Sequence, residues 1–214
     1  MERVLNNETG GTGNFLFVGE HLALDFANTL LAANDGTPFE TLNSCADLLH
    51  WLAAARLVTE AEKASLATGL KSPVKQQLLL DQIRAFRGSW KTNLERLTGG
   101  KAVSAEFLKL VNESLSEDHT WQVLSQEAGL RIFHIHSEHV PLEPAKRIMS
   151  LIANEMAHFL NSAKLEYLRR CAGSDCVVFF YDTTKSHRRQ WCSMAICGNR
   201  HKVARFRARE KTQR

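Results

Sequence analysis

Two pairs of cysteines, Cys171 with Cys176 and Cys192 with Cys197, each enclose four residues, and fifteen residues lie between the pairs. Closely spaced pairs across a hairpin-length segment suit four thiolates converging on one tetrahedral Zn2+ at Zn–S distances of about 2.3 Å. Disulfides are the other use of four cysteines. They need an oxidising compartment, and nothing at the start of the chain resembles an export signal. The expectation is therefore a single structural Zn2+ with Cys171, Cys176, Cys192 and Cys197 as its ligands. A closed four-thiolate site leaves no position for a substrate. The fifth cysteine, Cys45, lies far in sequence from the other four, has no assignable His or Asp partner for chemistry, and reads as a small buried residue.

The residues around these pairs suggest how the ligands are held. VVFFYD is rich in β-branched and aromatic types, TTKS is a turn, and HRRQW can return as a second strand. Cys192 then opens SMAICGNRHKVARFRARE, a turn running into a helix. A knuckle, a hairpin and a ligand-bearing helix make a treble-clef-like or zinc-ribbon-like arrangement. Residues 171–214 are too few to bury much of a core, so metal binding is expected to supply most of this module's folding free energy.

The stretch LRRC, then RRQWCSMAICGNR, then KVARFRAR resembles the CGNR zinc finger, over roughly the last quarter of the chain. Members of that family carry an N-terminal domain called ABATE, and HLALDFANTL at residues 21–30 resembles that domain's opening motif. The resemblance implies a stress-induced bacterial transcription regulator whose finger binds DNA.

Charge points the same way independently. Residues 164–214 hold 13 Lys and Arg against 4 Asp and Glu, whereas the chain as a whole is only +4. A basic module on an acidic body suits a polyanion partner for the module alone. The candidate nucleic-acid-binding residues are Arg188, Arg189, Arg200, Lys202, Arg205, Arg207, Arg209 and Lys211. Wound as a helix, the tail leaves Ile196, Val203 and Phe206 on a narrow apolar stripe, expected to pack on the hairpin. DNA is the first partner; RNA or protein contact is the alternative use of an Arg-rich zinc module. One short helix reads few base pairs, so a homodimer would extend the site.

The sequence divides into a mainly helical domain with one β-hairpin, residues 1–163, and the zinc module, residues 164–214. Residues 1–14 read as a flexible leader, and FLFVG as a short strand or extended entry. Apolar spacing predicts helices over 21–33 and 43–56, a third that Thr59 caps and that ends near Gly69, and a long one that Ser72 caps, with Pro73 at its first position, ending at Gly99. The Asn34–Phe39 stretch contains a DGTP turn. Ser104 caps another helix with Phe107, Leu108, Val111 and Leu115 inward. TWQVL, the turn QEAG and LRIFHIH form the hairpin, and a last helix runs over 144–162. Asp25 and Asn28 on the first helix and Arg84 on the long one form a candidate polar cluster, either a structural lock or the wall of a pocket for a small-molecule effector. Arg84 and Arg87, beside the long helix's apolar stripe, are expected to extend their guanidinium groups to solvent.

His134, His136 and His139 raise the one enzyme-like alternative, since an HxH pair with a third histidine nearby can hold a catalytic metal. No carboxylate-rich segment accompanies them, and the chain lacks a Gly-rich phosphate loop, a GxSxG elbow and an HExxH motif. The protein is expected not to be an enzyme. With no apolar run long enough to span a membrane, a cytoplasmic location is expected.

Overall fold

Helix α4 (Pro73–Thr98) is the spine on which the other elements are laid. In this computed structural model, which describes residues 15–33, 36–116, 120–126, 131, 133–139 and 142–212, its 26 residues run about 39 Å. Leu79, Leu80, Ile83, Phe86, Trp90 and Leu94 are buried along one side. Phe107 stacks on Trp90 at a ring separation of 5.3 Å, and Phe159 meets Trp90 edge-on at 6.0 Å. Trp90 also donates its indole N–H to the Ala23 carbonyl at 2.7 Å, so its one polar atom is satisfied inside the core.

Around this spine stand α1 (Leu22–Ala27), α2 (Cys45–Ala54), α3 (Glu60–Gly69), α5 (Ala105–Ser116) and α6 (Pro144–Ser162). The boundaries follow local chemistry. Ser44 and Asp47 form a reciprocal capping box at α2, as do Thr59 and Glu62 at α3. Ser104 Oγ accepts from Phe107 N at the start of α5, and Pro73 and Pro144 open α4 and α6. Ser72 precedes Pro73 without a side-chain capping bond. Leu108, expected inward on α5, is exposed; Phe107 and Val111 carry the burial instead.

The first helix is shorter than its apolar spacing predicts. It stops at Ala27, and the chain continues as β1 (Leu30–Ala32), paired antiparallel with β2 (Pro38–Glu40). The reason lies at Asn28 and Thr29. Thr29 Oγ1 donates to the Phe26 carbonyl at 2.7 Å, and the Asn28 side chain is committed to a distant strand, so neither residue continues the helix. The leader over residues 1–14 and the Asn34-Asp35 part of the DGTP turn lie outside the described residues. Strands β3 (Thr120–Gln126) and β4 (Phe133–His139) form the expected hairpin, with Leu124 opposite Ile135 in the antiparallel register; the QEAG turn beyond Gln126 is outside the described residues.

The last antiparallel pair is β5 (Leu168–Arg170) with β6 (Phe179–Tyr181). The partner of β6 is therefore the segment before Cys171, not the expected HRRQW. Asp182 explains the difference. Its carboxylate accepts from Thr184 N at 3.0 Å, Thr184 Oγ1 at 2.6 Å and Arg189 N at 2.8 Å, which folds TTKS into a tight loop and takes a donor that a returning strand would need. No helix among the described residues is long and apolar enough to cross a membrane.

Candidate metal centre and nucleic-acid interface

The hairpin of β5 and β6 sets the first two cysteines and a π-helical turn sets the last. Cys171 follows β5 and donates its N–H to the Val178 carbonyl at 2.9 Å, closing the loop that carries Cys176. Cys192 lies two residues before the turn at Met194–Gly198 and Cys197 lies within it, where Gly198 N donates to the Ser193 carbonyl at 3.0 Å. All four sulfurs lie within 4.8 Å of one another. The separations of Cys192 from Cys197, 3.5 Å, and of Cys176 from Cys192, 3.9 Å, bracket the edge of about 3.8 Å that a tetrahedron of 2.3 Å Zn–S bonds requires. None of the cysteines is in a disulfide. The backbone is shaped to the sulfurs as well. A Cβ at Gly173 would lie 3.1 Å from Cys176 Cβ, 3.6 Å from Cys197 Sγ and 3.7 Å from Cys171 Sγ, and one at Gly198 would strike Met194 Sδ at 2.7 Å.

Cys171, Cys176 and Cys192 bias one another's ionisation in opposite directions. Cys171 is pushed down to about 2 by hydrogen bonds from Cys176 and Cys192, while Cys176 is pushed up to about 12 by its bond to Cys171, and Cys192 rises for the same reason. Ionisation of Cys171 thus opposes ionisation of Cys176 and Cys192. A divalent cation removes that conflict by stabilising every thiolate at once. Donor type, separation and enclosure fit a single structural Zn2+ held by Cys171, Cys176, Cys192 and Cys197.

Arg189 is tied into this scaffold. Its guanidinium lies 4.5 Å over the Phe180 ring, donates to the Trp191 carbonyl at 2.9 Å and to the Cys192 carbonyl, and reaches Glu20 at 3.3 Å. Arg188 beside it is exposed. Arg200 is exposed yet directs an N–H at Cys197 Sγ, 3.4 Å away, where a cation offsets thiolate charge.

The polar residues of the opening motif turn out to face the zinc module. Asn28 Nδ2 donates to the Phe179 carbonyl at 2.8 Å and its Oδ1 accepts from Phe179 N at 2.9 Å. Asp25 is buried in α1 and accepts from Gly19 N at 2.8 Å; the Gly19 carbonyl in turn accepts from Tyr181 N at 3.0 Å. Burial raises the Asp25 carboxyl to about 7 against the pull of the Gly19 and Val18 N–H groups. Arg84, expected beside these two, donates instead to the Leu42 carbonyl at 2.7 Å and lies 3.7 Å from Glu40. Its neighbour Arg87 does not reach solvent. It is 3% exposed and forms a two-pronged pair with Glu40 while donating to Thr29 Oγ1 at 3.0 Å. Burial by itself would raise Glu40, but hydrogen bonds from Arg87 and Leu42 hold it below the usual carboxylate range. The three residues of the expected cluster therefore serve two separate places. Lys91, which nothing in the pattern singles out, donates to the Leu30 carbonyl at 2.9 Å and lies 3.5 Å from the carbonyls of Ala27 and Val177, joining α4, β1 and the zinc loop. The main core continues past residue 163, with Leu168 and Phe179 packed among the helices, and a second cluster joins Val18 to the cysteines.

Helix α7 (Asn199–Thr212) follows the zinc turn and carries Arg200, Lys202, Arg205, Arg207, Arg209 and Lys211 against Glu210 as its one acid. Every residue from Asn199 to Arg207 is exposed, as are Arg209 and Glu210. Val203 at 49% and Phe206 at 62% are uncovered, as is Ile196 at 46%, so the apolar stripe does not pack on the hairpin. What rests on the module is the other side: the His201 ring lies 4.5 Å from the Trp191 ring. His134 is exposed on β4, and the side chains of His136 and His139 lie outside what is described. Among the described residues, the four cysteines are the group close enough to hold a metal ion.

Fold and site thus define a zinc-finger protein whose finger is docked on a helical body. The family model described as "CGNR zinc finger" matches residues 167–210, and the ABATE model, described as "Putative stress-induced transcription regulator", matches residues 20–163. The chain belongs to the ABATE family and carries a CGNR zinc finger. Comparison with curated proteins returned no match.

Proposed function

We propose that this protein is a DNA-binding transcription regulator of the cytoplasm, where reducing conditions keep zinc thiolates intact, and that it is not an enzyme. The zinc finger presents α7 to duplex DNA and the helical body acts as the sensor or interaction domain. The observation that carries this reading is a basic helix exposed at every described side chain from Asn199 to Glu210, with its ring contact to the module at His201 near its start. A helix whose role was merely to complete the finger would bury its apolar residues, and a solvating one would mix signs of charge. The family description supports the same reading.

The test is a binding titration of the zinc-loaded full chain with duplex DNA, single-stranded DNA and RNA at several salt concentrations. The expected result is preference for duplex DNA, with log affinity falling linearly against log salt. Equal or tighter binding to RNA, or no salt-dependent binding to any of the three, overturns it.

A further inference from the structure

Counting 100° per residue from Arg200 places Phe206 at about 240°, Asn199 at about 260°, Glu210 at about 280° and Val203 at about 300°. Arg209 and Lys202 fall at about 180° and 200° on one side of these four, and Arg207 and Arg200 at about 340° and 0° on the other. His201, at about 100°, is the residue that rests on Trp191. Val203, Phe206 and Glu210 therefore lie on the side opposite the His201 contact, Asn199 opens the same face beside the zinc turn, and a basic wall stands on either side.

We propose that Asn199, Val203, Phe206 and Glu210 form a base-reading face that enters the major groove of duplex DNA, its basic flanks lying along the two phosphate backbones. This rests on the DNA-binding reading above and names the residues that would give it sequence preference. The four side-chain types match what the groove floor displays. An amide pairs with the adenine N6/N7 edge, a carboxylate accepts from cytosine N4, and apolar groups pack on the thymine methyl. The Asn199 side chain is exposed and makes a long 3.4 Å contact from Nδ2 to the Ala195 carbonyl. Glu210 is exposed, and the apolar pair is about half uncovered or more. A single acid among six basic residues is costly for phosphate contact but useful where a base edge donates. The occupant must also accept cations on both flanks at once. The B-form major groove, about 12 Å wide, admits a helix of about 10–12 Å and does so, whereas the deep narrow major groove of A-form RNA does not.

The experiment selects bound sequences from a random duplex pool with the zinc-loaded full chain, then replaces each thymine of the selected site by deoxyuridine, which removes only the methyl group. The wild type is expected to enrich a defined motif and to weaken about fourfold for each contacted methyl lost. The Val203→Ala/Phe206→Ala variant is expected to lose that response and the enrichment while keeping its salt dependence. Glu210→Gln is expected to relax preference at one cytosine by about tenfold. Zinc content of each variant confirms that the finger remains formed. If the double variant enriches the same motif with the same deoxyuridine response, the face does not read bases. A wild type that binds duplex DNA with no motif at all overturns the face but leaves DNA binding standing; one that binds no duplex overturns both.

Discussion

Asn28 and Phe179 are joined by two hydrogen bonds in which the side-chain amide of one imitates a strand neighbour for the backbone of the other. The Asn28 amide thereby ties the helical body to the strand that positions the cysteine loop. Replacing it by Ala leaves a buried N–H and a buried carbonyl without partners, a loss of about 2–5 kcal/mol. Asn28→Asp should fail in part as well, because a carboxylate cannot donate to the Phe179 carbonyl. Denaturant unfolding of zinc-loaded protein measures both; a change below about 0.5 kcal/mol for the Ala variant would show that the clamp is incidental.

Changing any one of Cys171, Cys176, Cys192 or Cys197 to Ser should reduce zinc from one per chain to well below that. Because Leu168 and Phe179 belong to the same core as the helices, the consequence should reach beyond the finger: the whole protein melts at lower temperature in one transition. Full zinc occupancy in two such variants would remove the assignment. A helical body of unchanged melting temperature would show that the shared core contributes little.

Asp25 makes stability fall as pH rises. Its folded-state pKa, about 7, lies above the unfolded value of about 3.9, so the folded protein holds the proton more tightly between those values. The contribution is fully present below about pH 4 and is lost as pH rises to about 7, a difference approaching 4 kcal/mol at most. Asp25→Asn should abolish this dependence, so the stability difference between variant and wild type should shift by about 2–3 kcal/mol from pH 5 to pH 8. Parallel curves for the two proteins over that range would exclude the titration.

Arg205 and Arg209 are exposed on α7, eight and twelve residues beyond the last cysteine. Changing both to Ala should weaken duplex binding and reduce the slope of log affinity against log salt by up to about two, with zinc content unchanged. Unaltered affinity at every salt concentration would move the binding surface off this helix and bring RNA or protein contact forward.

What the sequence determined by itself was everything set by neighbours along the chain. The cysteine spacing specified the metal centre, because ligands a few residues apart can close on one ion. Ser44, Thr59 and Pro73 announced helix starts through bonds or fixed dihedrals within one turn, and the apolar spacing of α4 marked its buried side. The DTT run at residues 182–184 is a turn signature that could have located Asp182, whose bond to Arg189 N displaces the expected second strand. Tertiary structure decided the polar partnerships. Asn28 meets Phe179 across 151 residues and Arg87 meets Glu40 across 47, and no local pattern distinguishes the fully buried Arg87 from the half-buried Arg84 one turn away. It also decided the direction of α7. Winding the helix defines a basic-flanked apolar face, but the exposure of Val203 and Phe206 and the contact of His201 with Trp191 show that this face points outward, because which side of a helix is covered depends on what the rest of the chain brings to it.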